Sequence, residues 1–371
     1  MSLVIGLMSG TSLDGVDAAL VECNHHHRPV LLEATGIEMP EPLRRQLWQL
    51  CHASEAAFEV LAETEEAFCR LQAQAVAALL DKSGHAVEDI AAIGSHGQTI
   101  EHRPGGAWPY TWQLDNPSRL AELTGCRVVG DFRRRDLAAG GQGAPLAPAF
   151  HDALFRDSRQ WRVLLNLGGF ANVTLLPPEG SEMPVIGFDT GPANALLDGW
   201  YARHHEGRFD RDGTWAGQGR SQPALLEHLL SDPFFESTPP KSTGREHFHL
   251  QWLEAQLTEE SPADIQATLL ALTVESIARE LERHLPAEVQ ANTCVIPCGG
   301  GAYNKAMMAA LAQRLSPIMV ERCESLGWSP DWLEAGAFAW LAWRRLEGLP
   351  GNLPTVTGAI GPRILGGVYE R

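Results

Sequence analysis

Val4-Ile5-Gly6-Leu7-Met8-Ser9-Gly10-Thr11-Ser12-Leu13-Asp14-Gly15-Val16-Asp17-Ala18-Ala19-Leu20-Val21 is the stretch whose reading decides the fold. Two apolar runs flank the small residues Ser9-Gly10-Thr11-Ser12, and an Asp14-Gly15 turn signal follows. This pattern predicts a β-hairpin. Its turn would let backbone N–H groups come close to an anion, with the Thr11 and Ser12 hydroxyls as further donors, which suits a phosphate. An ordinary hairpin with a polar turn satisfies the same pattern.

The design recurs further along. Val163-Leu164-Leu165-Asn166-Leu167-Gly168-Gly169-Phe170-Ala171-Asn172-Val173-Thr174-Leu175 is a second apolar run, glycine turn and apolar run. The echo fits a chain built from two related α/β halves, and we place their division at residues 1–150 and 151–371. Val185-Ile186-Gly187-Phe188 reads as a strand ending at Asp189, ahead of a helix through Leu196 and Trp200. Asp189 is a cap for that helix or a general base. Cys294-Val295-Ile296-Pro297-Cys298 reads as a strand entering Gly299-Gly300-Gly301, with a helix over Lys305–Leu315. A strand, bare glycines and a helix allow a flat ring or a ribose to lie against backbone.

Other stretches carry less. Residues 41–82 hold apolar residues at helical spacing and predict two or three amphipathic helices. Ile90–Gly94 is a short buried strand running into Ser95-His96-Gly97-Gln98-Thr99, polar groups where open α/β sheets place ligands. A lone histidine can equally be a packing residue. Tyr110–Leu114 and Arg127–Phe132 are further strands, the latter ending in Arg133-Arg134-Arg135-Asp136. The three arginines are a solvated loop or the counter-charge for a carboxylate or phosphate. Ala138-Ala139-Gly140-Gly141-Gln142-Gly143-Ala144-Pro145-Leu146-Ala147-Pro148 reads as a functional loop at the junction of the halves. His25-His26-His27 reads as a turn, because consecutive side chains diverge. Residues 201–262 show only loops and short helices, whereas 265–285 is a clear helix. Glu334 sits one turn into a last apolar helix, where it complements the helix dipole unless its neighbours line a cleft.

Composition bounds the function. With 29 basic against 46 acidic residues the formal charge is −17, which argues against nucleic acid or an anionic membrane as partner. Met1-Ser2-Leu3-Val4 lacks a basic leader, and no apolar run approaches the ~20 residues of a membrane span. The seven cysteines are scattered without a Cys-x-x-Cys pair, which suits reduced thiols and a cytoplasmic location.

Gly6-Leu7-Met8-Ser9-Gly10-Thr11-Ser12-Leu13-Asp14-Gly15-Val16-Asp17, with Ser95–Thr99, Asp131–Asp136, Gly140–Leu146, Asn166–Gly169, Phe188–Pro192 and Cys298–Ala302, resembles the anhydro-N-acetylmuramic acid kinase family from end to end. That family belongs to the actin/hexokinase/Hsp70 superfamily. The resemblance implies a two-domain actin-like, ribonuclease H-like α/β fold with duplicated mixed sheets and a cleft between them. It implies conversion of 1,6-anhydro-N-acetylmuramic acid, ATP and water to N-acetylmuramic acid 6-phosphate and ADP, in cell-wall recycling.

By the resemblance, Asp189 is the catalytic base. ATP would meet Gly10, Thr11, Ser12, Leu13, Asp14, Gly15, Val16, Asp17, Asn166, Gly168, Gly169, Gly299, Gly300 and Gly301. The sugar would meet His96, Gly97, Arg133 and Glu334, with Arg133 on its carboxylate, although sequence does not separate Arg133 from Arg134 or Arg135. Mg²⁺ would bridge the phosphates, held largely through water, and a homodimer is expected. Met8 stands where the superfamily usually has a metal-side Asp. Phe170 and Gly336 also depart from the family pattern. Another sugar kinase of the superfamily, or a nucleotide-gated sugar-binding protein without catalysis, would share much of this chemistry.

Overall fold

The opening hairpin forms because its alternate residues can be buried on opposite faces of a sheet. Ile5 and Leu7 pack among helical side chains on one face, and Gly6 lies against a helix backbone on the other. A computed structural model describes all 371 residues. Its strands are β1 (Ser2–Ser9), β2 (Gly15–Cys23), β3 (Val30–Glu38), β4 (Ile90–Arg103), β5 (Tyr110–Leu114), β6 (Val128–Gly130), β7 (Trp161–Leu167), β8 (Phe170–Leu176), β9 (Ile186–Pro192), β10 (Thr293–Cys298), β11 (Met319–Val320) and β12 (Gly367–Tyr369). The helices are α1 (Glu41–His52), α2 (Phe58–Ser83), α3 (Pro117–Thr124), α4 (Arg134–Ala138), α5 (Ala147–Phe155), α6 (Asn194–His204), α7 (Pro223–Leu230), α8 (Pro233–Glu236), α9 (Leu250–Glu254), α10 (Pro262–His284), α11 (Lys305–Leu315), α12 (Leu333–Leu346) and α13 (Pro354–Thr357).

The chain forms two compact units, Met1–Leu154 with Gly327–Arg371, and Phe155–Leu326. In the first, the sheet order is β12-β6-β4-β1-β2-β3, with β5 on β4. Strands β1, β2 and β3 form an antiparallel meander, while β4 and β6 run parallel outward from β1. In the second, the order is β11-β10-β7-β8-β9. There β7, β8 and β9 are the antiparallel meander, and β10 and β11 extend it in parallel. The two sheets share one strand plan, so the duplication read from the two hairpins is a duplication of architecture.

Residues 327–371 do not stay with the second half. Gly6 and Gly94 are partners across β1 and β4, and together they clear a groove for α12. A Cβ on Gly6 would sit 1.8 Å from the Ala335 carbonyl oxygen, and one on Gly94 would sit 2.1 Å from that of Phe338. Gly336 is required in the same packing, since a Cβ there would meet the Trp328 ring at 2.4 Å. Helices α1, α2 and α3 cover the other face through Leu43, Leu47, Phe68, Leu79 and Leu120. The core of the second unit joins Val163, Leu165 and Val173 to Leu196, Leu269, Ile277 and Leu311.

Two strands outrun their sequence readings. β4 continues to Arg103 because β5 pairs with residues 98–103, so Ser95–Thr99 lie within the strand instead of beyond its end. β9 continues past Asp189 to Pro192, with a bulge opposite Ala171 and Asn172. Asn24 Oδ1 accepts from the His26 and His27 amides, which makes the histidine run a turn. None of the seven cysteines is in a disulfide, and all are buried but Cys51. No helix is long and apolar enough to cross a membrane.

Candidate active site

In the first unit the Gly10–Asp14 turn is held open and rigid. Leu13, a non-glycine residue at φ 58°, is left-handed yet buried, and its N–H donates to the Gly10 carbonyl at 3.2 Å. Such strain persists only where the surroundings impose it. Ser9 Oγ lies 2.6 Å from Gln98 Oε1, and Gln98 Nε2 donates to the Gly10 carbonyl at 3.3 Å. Thr11 and Ser12 are exposed, and their N–H groups have no protein acceptor. The turn therefore presents free donors on a braced backbone, as anion binding requires.

Arg133 meets His96, another of the residues predicted to bind sugar. Its Nε and Nη2 reach His96 Nε2 at 3.3 and 2.9 Å, and Nη1 donates to the Gly143 carbonyl at 3.0 Å. Burial and the Arg133 charge hold the His96 imidazole neutral, well below its ordinary range. Its Nδ1 is buried with no hydrogen-bond partner, although the Ser9 and Gly97 backbones lie close enough to influence it. Gly97 is required at φ 72°, where a Cβ would press on Asp115 and Leu114. The Gly140–Pro145 loop serves this arrangement: Asp136 Oδ2 accepts from the Gly143 amide at 2.8 Å, and Oδ1 from Asn352 and Thr357.

Glu334 starts α12. Its carboxyl reaches solvent but is crowded by protein, which pushes its pKa up, while Arg133 pulls it down. Burial lowers Arg133 itself to about 10. Asp17 is pushed up to about 6, first by burial and then by the charges of Glu334, Asp331 and Asp14. The carboxylates of Asp14 and Asp17 are hard oxygen donors of the kind Mg²⁺ takes. No group of three or more His, Cys, Asp and Glu side chains is gathered for a metal.

In the second unit the Gly168-Gly169 turn repeats the first. Its carbonyls accept from the amides of Ala193, Asn194 and Ala195, and its own N–H groups have no protein acceptor. Gly299, at φ 74°, abuts Asn166, whose Oδ1 would lie 2.3 Å from a Cβ there. Gly300 is exposed with open space above it. Asn166, Gly168, Gly169 and the glycine triplet thus share one end of the sheet, after β7 and β10.

Asp189 lies on the edge strand β9, half-buried. Its N–H donates to the Lys241 carbonyl at 3.1 Å, and its Oδ2 accepts from the Thr243 amide at 2.9 Å. Burial raises its carboxyl to about 6 against the pull of that amide. It caps no helix: α6 begins after Ala193 and has no side-chain cap. Lys241 is buried, 3.0 Å from the buried Glu280. Sequence reading missed Lys241, Thr243 and Glu280. The run Pro239-Pro240-Lys241-Ser242-Thr243-Gly244 was their one visible signal, and it marks only a loop. A largely apolar cavity of about 560 Å³ in this unit, walled by Leu226, Leu270, Val274 and Ala310, includes none of the predicted site residues.

A family model described as anhydro-N-acetylmuramic acid kinase matches residues 2–371. A protein of that name from Chromohalobacter salexigens is 59% identical over 370 residues, covering 100% of both chains. Its namesake from Xylella fastidiosa is 50% identical, covering 99% of this chain and 96% of the relative. One from Pseudomonas syringae pv. tomato is 50% identical, covering 98% of each.

Proposed function

The chain belongs to the anhydro-N-acetylmuramic acid kinase family, and from that premise we propose that it converts 1,6-anhydro-N-acetylmuramic acid, ATP and water to N-acetylmuramic acid 6-phosphate and ADP. The observation that carries the reading is Asp189, a carboxyl raised to about 6 with one oxygen held by an amide and Oδ1 without a protein partner. In the reaction Asp189 takes a proton from water as the water oxygen bonds to the anomeric carbon and the bond from that carbon to O6 breaks. O6 then attacks the γ-phosphorus, and ADP leaves. Phosphoryl transfer asks mainly for positioning and charge stabilisation.

The amides of the turns at 10–14 and at 168–169 would receive the phosphates, with Gly15, Val16 and Asp17 on the strand that follows the first turn, and Gly299–Gly301 with Asn166 the adenosine end. Arg133 is the partner for the sugar carboxylate. His96 Nδ1, buried and unpaired, would donate to a sugar oxygen, with Gly97 and Glu334 beside it. Asp14 and Asp17 would hold Mg²⁺ through water, and the ion would neutralise phosphate charge. We place the active protein in the cytoplasm as a homodimer, which light scattering on a sizing column tests.

The deciding assay runs the protein with anhydro sugar and ATP in ¹⁸O-labelled water. The expected product carries one heavy oxygen at the anomeric position and phosphate on O6. Phosphorylation of a free sugar with no need for the anhydro bond would replace this reading with simple transfer.

A further inference from the structure

We propose that the cavity at the C-terminal end of α12 is a second anion site, built for a phosphomonoester. The cavity is about 560 Å³ and is walled by Asp131, Arg134, Arg135 and Arg345, with Gly366 and Gly367 contributing backbone. Three guanidinium groups meet one carboxylate here, in a chain whose formal charge is −17. Like charges gathered without counter-ions repel, so the cluster costs free energy until an anion bridges it.

The pairing pattern sharpens the argument. Arg345 Nε is buried without a hydrogen-bond partner, and a buried unmade donor is costly to leave so. Its neighbours are provided for: Arg344 donates to the Pro350 carbonyl, Arg363 to that of Pro362, and Arg127 to Glu370. Glu347, the carboxylate nearest in sequence to Arg345, is taken by His25. Asp131 stands 3.7 Å from Arg134, beyond hydrogen-bond length, and offsets one charge at most. Gly366 is held at φ 86°, with Val129 2.8 Å from where a Cβ would be, so bare backbone faces the cavity beside the arginines.

This site is separate from the sugar residues. Arg345 and Glu334 stand eleven positions apart on α12, roughly 16 Å along a helix. Arg133 turns to His96 and Gly143, whereas Arg134 and Arg135 turn to this cavity. The volume exceeds what an inorganic ion needs and falls in the range of small-molecule clefts. A phosphomonoester dianion, with three acceptor oxygens, can engage several guanidinium forks at once.

The test is calorimetric titration of the full-length protein, saturated with ADP so that the phosphate turns are filled. Ribose 5-phosphate is the probe, with ribose and sodium acetate at matched ionic strength as controls. We expect one saturable site per chain for the phosphate ester, none for ribose, and only weak competition by acetate. Arg345→Gln should weaken binding roughly tenfold or more, with Arg345→Lys between the two, while the KM for ATP stays unchanged. If Arg345→Gln does not fold, the exposed Arg135→Gln carries the same expectation. No saturable heat, affinity indifferent to these substitutions, or equal competition by acetate would each overturn the site. The outcome is independent of the kinase reading.

Discussion

At Asp189, the acid and the fold make opposite demands, and that conflict is measurable. Its carboxyl titrates near 6 instead of 3.8, chiefly because burial disfavours the charge. The folded state therefore binds the proton more tightly than the unfolded chain. The stability this contributes is complete below pH 3.8 and is lost as pH rises through 6. At pH 8 the ionised carboxylate is a liability to folding and, on the proposed mechanism, an asset to catalysis. Asp189→Asn should therefore lower kcat by about 10²–10⁴-fold, as loss of a positioned base does, while Tm at pH 8 holds or rises. A kcat near that of the unsubstituted protein would remove Asp189 as the base. In the unsubstituted enzyme, kcat should climb with pH through about 6 and level off above it, measured between pH 5 and 8. In sequence the residue reads alike as a helix cap and as a base, and only the family resemblance singles out the base; the structure removes the cap, since α6 begins after Ala193. Its restraint by Thr243 was not legible, because no local pattern records which loop will lie along the edge of a strand 54 residues away.

Among the elements, the first hairpin and α12 depend on glycine for opposite reasons. Gly10 has room, with only Ser12 Oγ near its Cβ position at 3.7 Å. A Val there is tolerated by packing but covers the free amides of the turn, so Gly10→Val should raise the KM for ATP well beyond that for the sugar. Unchanged ATP affinity would show that the phosphates lie elsewhere. Gly94 has no room, because a Cβ would run into the Phe338 carbonyl. Gly94→Ala must push α12 off the sheet, at a cost of about 3 kcal/mol, the upper end for overpacking against an element that cannot yield. Denaturant unfolding followed by tryptophan fluorescence should register the loss, and a value under 1 kcal/mol would mean the helix has slack. Sequence periodicity revealed most strands and the long helices at nearly their true bounds, for example Lys305–Leu315, but β6 is shorter than its Arg127–Phe132 reading and β11 and β12 went unread. It stopped β4 and β9 short because strand length past a polar cluster is set by a pairing partner. For β4 that partner is β5, legible as a strand although its pairing with residues 98–103 is not.

For the molecule as a whole, the duplicated sheet plan was audible in two glycine turns, but the path of the chain was not. Residues 155–326 form a complete unit interrupting another unit, whose last piece is 327–371. Apolar periodicity identifies α12 as a buried helix without saying which sheet buries it. The answer lies in small residues, Gly6 and Gly94, whose lack of a side chain carries no hydrophobic signal. The interruption makes the two units unequal under truncation. A chain ending at Leu326 would keep every strand of the second sheet, but would bare the Gly6–Gly94 groove and remove β12 from β6. It would also strip the buried Asp136 of its Asn352 and Thr357 donors, and a buried carboxylate left short of partners is strongly destabilising. We therefore expect the 1–326 fragment to lose its first unit, with amide exchange fast throughout β1, β2 and β4, and the 155–326 fragment to melt cooperatively alone. Calorimetry of both fragments decides it. Cooperative melting of the first unit without residues 327–371 would mean that α12 is an accessory to that fold and not its missing layer.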